Sequence, residues 1–197
     1  MLMFDIQPSQ RESLSEMAKA EGYPILESVP VVTMQLQSVN GVTLKDVVAD
    51  TSQEVSSRAF RGQIRATYRD SLTASERVTS GKWVGTVGSN DTALVSLDQN
   101  YADNIKVKVG DRLSFNVQGL IIPAKVSSIR QVDWNRFQSN FRVVFAKGSI
   151  DKAPQFYLMM TKVPTELESS KFQQKIVNNY PNVSVIDMNA VLTVLQE

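Results

Sequence analysis

The 197-residue chain contains no cysteine and no histidine. The first absence excludes disulfides, thiolate metal sites and thiol nucleophiles. The second removes the usual zinc ligand, the usual general base and every Ser-His-Asp triad. Charge of either sign is not in excess: 21 basic and 20 acidic residues leave a net charge of +1. So balanced a chain makes no long-range field for nucleic acid or an anionic membrane, and no nucleic-acid partner is expected. Long hydrophobic runs are also missing. Leu120-Ile121-Ile122 and Phe156 to Met160 are strand-sized, far short of the roughly 18–20 residues of a membrane span. Met1-Leu2-Met3-Phe4 is too short for a signal peptide, and Asp5 follows at once. The chain is therefore read as soluble, either cytoplasmic or a soluble piece of something larger. Gly81, Gly85 and Gly88 match neither a P-loop nor a dinucleotide fingerprint. No Gly-x-Ser-x-Gly elbow occurs. No cofactor and no ATP site are expected.

What is present is ordinary globular composition, 42% apolar and 21% charged. The length fits one large domain or two small lobes. The first forty residues read as strand–helix–strand. Phe4 to Gln7 is a short strand, and Pro8-Ser9-Gln10-Arg11-Glu12 a helix start with Ser9 as cap and Glu12 closing a capping box. Leu14, Met17 and Ala18 give that helix an apolar face, and Gly22 ends it. Val32, Met34 and Leu36 alternate with polar residues as in a half-buried strand, and Asn40-Gly41 signals a tight turn.

The end of the chain repeats the plan. Gln155 to Val163 is a strand apolar on both faces. Thr165 and Glu168 form a capping box, and Phe172, Ile176 and Tyr180 line one helix face. Val183 to Ile186 is a strand, with a final helix over Asn189 to Gln196. The class expected is α+β. Residues 1–44 and 149–197 form a ferredoxin-like βαβ-repeat lobe, into which a β-rich lobe, 45–148, is inserted. That lobe is expected to hold strands at Ile64 to Tyr68, Lys106 to Val109 and Leu113 to Val117, with turns at Gly110-Asp111 and Gln118-Gly119. The stretch from Asp46 to Ser57 is read as a loop or short helix.

Candidate chemistry is sparse. Asp98 with Asp103, or Asp111 with Asp133, could do acid–base work; turn and surface use explains each as well. Arg61, Arg65 and Arg69 are spaced to share one strand face. They form either a solvated face or a stripe that meets lipid headgroups or a partner's acids. Trp83, Trp134 and Phe141 are the large aromatics of the middle region, either packing or a hydrophobic contact surface. Trp134, Phe141, Arg65 and Arg69 are the residues proposed for substrate or partner contact. Asn90-Asp91-Thr92 and Asn182-Val183-Ser184 match a glycosylation sequon, which chance also supplies.

An ordered set of segments runs through the chain. Phe4-Asp5-Ile6-Gln7-Pro8 opens it. Arg65 to Leu72, Gly81-Lys82-Trp83, Val95-Ser96-Leu97 and Lys108 to Phe115 follow. Val126 to Trp134, Asn140 to Phe145, Tyr157 to Pro164 and Pro181 to Asp187 complete it. Together they resemble the extracytoplasmic domain of MacB/FtsX-type ABC transporter permeases, in particular the YbbP-like subgroup. Arg142 and Ala146-Lys147 depart from it, standing where an apolar residue and Pro-Pro are expected. The resemblance implies a "Porter" lobe from the ends of the chain and a "Sabre" lobe from the middle. It implies a place outside the bacterial inner membrane, between two transmembrane helices that join the domain to a cytoplasmic ABC ATPase. It also implies that the domain is no enzyme. It would couple ATP hydrolysis on that subunit to mechanical work on a lipid, lipoprotein or amphiphile, or else recruit an extracytoplasmic hydrolase or other partner.

Overall fold

The structure is a computed structural model describing residues 1–50, 52–88, 91–135 and 138–187. The predicted final helix from Asn189 and the sequon residue Asn90 lie outside the described residues. In chain order the elements are β1 Leu2–Ile6, α1 Arg11–Ala20, β2 Ile25–Val39, β3 Val42–Thr43, α2 Leu44–Ala49, β4 Gln63–Arg69, β5 Glu76–Gly81, β6 Ala93–Asp98, α3 Gln99–Asn104, β7 Arg112–Val117, β8 Leu120–Val132, β9 Val143–Ala146, β10 Phe156–Thr161, α4 Glu166–Asn179 and β11 Ser184–Ile186. The chain divides into two compact units, Met1–Val31 with Gln155–Glu197, and Val32–Pro154. The class is α+β. Among the described residues no helix is long and apolar enough to cross a membrane.

The first unit is an antiparallel sheet in the order β11-β1-β10-β2 with α1 and α4. Its core joins Met3, Ile6, Leu14, Ala18, Met159, Phe172 and Ile176. The apolar spacing Leu14-Ala18 and Phe172-Ile176 gives each helix one buried stripe. Helix α1 stops where the sequence said. Gly22 takes φ +87, its N–H donates to Lys19 O, and Tyr23 N–H donates to Ala18 O at 2.9 Å. That double bond closes a Schellman motif, and Tyr23 then packs on Phe172 with ring centroids 5.1 Å apart.

The helix start differs from expectation. Pro8–Gln10 form a short 3-10 turn, and α1 begins only at Arg11. Ser9 caps nothing; Gln10 Oε1 accepts from Gln7 N–H at 3.1 Å instead. The Pro at the first turn position takes the chain into the tighter turn before any hydroxyl cap is needed. By contrast Thr165 Oγ1 accepts from Glu168 N–H at 3.3 Å and starts α4 as read. Asn182, the asparagine of the second sequon, donates from Nδ2 to Asp5 O and to Gln10 Oε1 and so ties the start of β11 to the end of β1.

The second unit is built on a closed ring of six strands. β2 pairs with β4, β4 with β9, β9 with β6, β6 with β8, β8 with β7, and β7 back with β2. The β4–β9 and β6–β8 pairs are parallel; the others are antiparallel. β3 and β5 extend the ring at β2 and β8. Inward residues at period two fill it: Val32, Met34 and Leu36 from β2, Phe115 from β7, Val95 from β6, Val126 from β8 and Phe145 from β9. Phe115 and Phe145 meet edge to face at 5.6 Å. Asn40 and Gly41 both take positive φ, 48° and 86°, as a type I′ turn between β2 and β3 requires. Gln118 and Gly119 do the same between β7 and β8.

Lys106 to Val109 is not a strand. It is the exit from α3, a helix the sequence reading missed. Lys106 takes φ +57, and Val107 N–H donates to Ala102 O at 3.0 Å. The valine buries because this capping turn folds it back under the helix. Asp46 to Ser57 begins inside α2, with Thr43 as its cap and Asp46 completing the capping box.

Candidate functional site

A densely bonded polar cluster lies in the second unit and follows from a shift in strand register. On β8, Ala124 and Val126 face the barrel core, but the register against β6 shifts before Ser128, so that Ile129 continues the core and Ser128 and Arg130 fall on the opposite face. That face is covered too, and Arg130 is 0% exposed. Such a group persists only if its donors are met. Arg130 Nε donates to Ser96 Oγ at 2.9 Å, and Nη2 to the carbonyls of Ser96 and Phe141, each at 3.2 Å. Nη1 donates to Glu76 Oε1, which also accepts from Arg69 Nη2. Ser128 Oγ donates to Ser96 Oγ at 2.7 Å. Burial pulls the Arg130 guanidinium down to about 10 against the opposing pull of Glu76, so it is still a cation at neutral pH.

Asp98 ends β6 beside this cluster and is buried. Burial pushes its carboxyl above the ordinary range, while backbone N–H groups and the guanidiniums of Arg130 and Arg142 oppose the shift. A carboxyl raised in the folded state lends stability that is fully present below its unfolded value and falls away as pH rises through its folded value. Asp98→Asn should therefore gain stability relative to the parent as pH is raised from about 3.5 to 7. Urea midpoints of both proteins at the two pH values check this; an unchanged difference would sink it.

The sequence-selected residues fall in different places. Arg69 is largely covered and is paired with Glu76. Arg65, on the same strand, is exposed. Arg61 lies before β4, at the end of a 3-10 turn. Phe141 is buried, and its carbonyl serves Arg130. Trp134 is 46% exposed and borders a shallow pocket with Ser75, Arg77 and Gln131. Trp83 donates from Nε1 to Asp70 O at 3.1 Å. Of the carboxylate candidates, Asp111 is a turn residue whose Oδ2 accepts from Lys108 N–H. Asp103 accepts from Gln99 within α3. Asp98 bonds to the backbone at the start of α3, so both members of that candidate pair serve the local structure of the helix. No group of three potential metal-binding carboxylates occurs among the described residues. Arg130 and Glu76 escaped the sequence reading. The register shift before Ser128 turns Arg130 away from the barrel core, which no local pattern shows, and nothing local marks Glu76 as its partner 54 positions away.

A second feature is a cleft of about 580 Å³ where the β7–β8 hairpin passes the start of β6. Leu120 and Ile121 project at the hairpin tip, 59% and 47% exposed. Arg112 and Lys125 sit directly opposite each other across the two strands at the cleft's edge.

Comparison with known proteins gives the chain its context. It is related to an ABC transporter permease: 163 residues, 83% of the chain, are 25% identical to the uncharacterized ABC transporter permease YbbP of Escherichia coli (strain K12). The match spans 18% of that protein's length. A crystal structure of a domain of a candidate permease protein from Porphyromonas gingivalis aligns with TM-score 0.35 and 7% identity, over 89% of this chain and 71% of that one. No protein-family model matches.

Proposed function

We propose that this chain, related as it is to an ABC transporter permease, is a permease's extracytoplasmic domain, coupling ATP hydrolysis elsewhere to mechanical work on a hydrophobic substrate. The observation that carries the reading is the likeness to a permease over 163 residues. The order β11-β1-β10-β2 with two helices suits a ferredoxin-like, Porter-like lobe, and the six-strand barrel suits a Sabre-like one. On this reading the domain is not catalytic. Hydrolysis belongs to a cytoplasmic ABC ATPase, and transmembrane helices outside this chain link the two. The substrate is a lipid, lipoprotein or amphiphile, and Trp134 and Arg65 are the exposed contacts among the residues chosen from sequence.

The test uses the intact transporter. With a photoreactive lipid probe, ATP-dependent labelling of this domain is expected. Transport of the probe with no label on the domain would exclude direct contact with cargo. A second reading, recruitment of an extracytoplasmic hydrolase or other partner, is favoured by the exposed indole of Trp134 beside a polar pocket. Stoichiometric capture of an enzyme by the isolated domain, lost in Trp134→Ala, would select it.

A further inference from the structure

Strand pairing lays a row of polar side chains across the outer face of the second unit. Thr33 pairs with Arg65 across β2 and β4. Ala66 pairs with Val143 in the parallel β4–β9 ladder, so Arg65 and Arg142 stand one position earlier on the two segments. Asp98 N–H donates to Arg142 O at 2.8 Å, which sets Asp98 on the far side of Arg142. Asp98 in turn pairs with Arg130. The sequence neighbours fix the direction of these side chains. Ile64, Ala66, Leu97 and Val143 belong to the barrel core or pack on it. Period two therefore turns Arg65, Arg142 and Asp98 away from that core.

Arg65 and Arg142 are both exposed. Neighbouring strands lie about 4.8 Å apart, so two guanidiniums rise side by side on one face, and like charges so placed repel. Neither forms an ion pair among the described residues. The outward positions around them, Thr33, Gln35, Gln63 and Thr67, are neutral. Asp98 is the acid of the row, but its carboxyl accepts from the Gln99 and Tyr101 N–H groups at the start of α3. Arg130, further along, is met by Glu76, Ser96 and Phe141. The two exposed arginines have no such acceptors.

A guanidinium fork takes two acceptor oxygens in its own plane. One carboxylate is used up by one fork. A phosphomonoester offers three terminal oxygens and a charge of about −1.5 to −2 near neutral pH, which meets both forks at once and relieves their repulsion. We infer that Arg65 and Arg142 together bind a phosphomonoester group, one fork on each side of it. The group belongs to a phosphorylated lipid headgroup or to a small soluble phosphate, and the choice of probe separates the two. The site needs no transporter to operate, so the 197-residue chain tests it whatever the fate of the transport reading.

The probes are glycerol 3-phosphate and dihexanoyl phosphatidate, the second kept below its micellar concentration. Each is titrated into the isotope-labelled chain while the arginine Nε–H resonances are followed by NMR. Saturable shifts confined to Arg65 and Arg142 are expected. Arg65→Gln with Arg142→Gln should weaken binding at least about tenfold. Arg65→Lys with Arg142→Lys keeps both charges and loses both forks, and should weaken it at least about threefold. Circular dichroism before titration confirms that each variant is folded. Equal affinity for the two probes would support the site and assign it to the phosphate group alone. Tighter binding of phosphatidate would support it and extend it to a lipid headgroup. Shifts spread evenly over other exposed arginines, equal affinity for acetate, undiminished binding in either double variant, or no saturable shift would each overturn the inference.

Discussion

Replacing Glu76 with leucine is expected to destabilise the chain by about 3–5 kcal/mol, the cost of stranding a buried charge. Glu76 accepts from Arg130 and Arg69 through Oε1 and from Thr73 N–H through Oε2. Its loss leaves Arg130, 0% exposed, with Asp98 as the acid still acting on it. Set against a typical total of about 5–15 kcal/mol, such a loss is about a fifth or more of the folding free energy. Urea unfolding followed by tryptophan fluorescence measures it. The double variant Glu76→Leu with Arg130→Met should recover more than half, because the stranded cation goes with its partner. A single-variant loss under about 1 kcal/mol, the scale of one ordinary hydrogen bond, would show that the network is dispensable.

Gly148→Ala is expected to cost about 3 kcal/mol or more, from two causes that a second glycine separates. Gly148 takes φ +96, and a Cβ there would lie 2.2 Å from the carbonyl oxygen of Val87. That oxygen belongs to a backbone held in place: Val87 N–H donates to Lys147 O, and Lys147 N–H donates to Gly85 O, each at 2.9 Å. The neighbour cannot swing aside as a side chain would. Gly110 takes a similar φ, +95, but a Cβ there meets nothing within 4 Å. Gly110→Ala should therefore show the left-handed backbone penalty alone, about 1–2 kcal/mol. The difference between the two variants in urea isolates the contact. Equal losses would mean that the 87–88 backbone yields freely.

Local features were legible in the sequence where their cause is local. Asn40-Gly41 needs only two residues that tolerate positive φ, and the turn forms there. Thr165 and Glu168 need only their spacing. Val32, Met34 and Leu36 announced a half-buried strand because alternation is a property of one segment. Lys106 to Val109 misled for the same reason. Alternation was present, but it reported a valine tucked under a helix cap, and a lysine in the left-handed region is not a signal that composition gives. Ser9 was a plausible cap that Pro8 made unnecessary by starting a tighter turn. The ring of strands was illegible. Its closure depends on parallel pairing of Ala66 with Val143 and of Ala93 with Ala124, and no property of either segment names its partner. The Arg130–Glu76 pair belongs with these. The face that Arg130 takes is set by a register shift against β6, and its acid lies on β5, so neither half could be found from its own segment.

The pairing of β1 has a consequence for synthesis. Leu2 faces Met160 on one side and Ile186 on the other, so β1 has no partner until β10 or β11 has been made. The ring from Val32 to Pro154 is complete before β10 exists. On a ribosome adding about 5–20 residues per second, Met3 and Ile6 wait about 8–30 seconds in a chain whose middle can already close. The barrel is thus able to mature as an independent nascent unit, while β1 and β10 meet later and across a long loop. Truncations that stop short of β10 should release a folded barrel trailing an unpaired, aggregation-prone first strand.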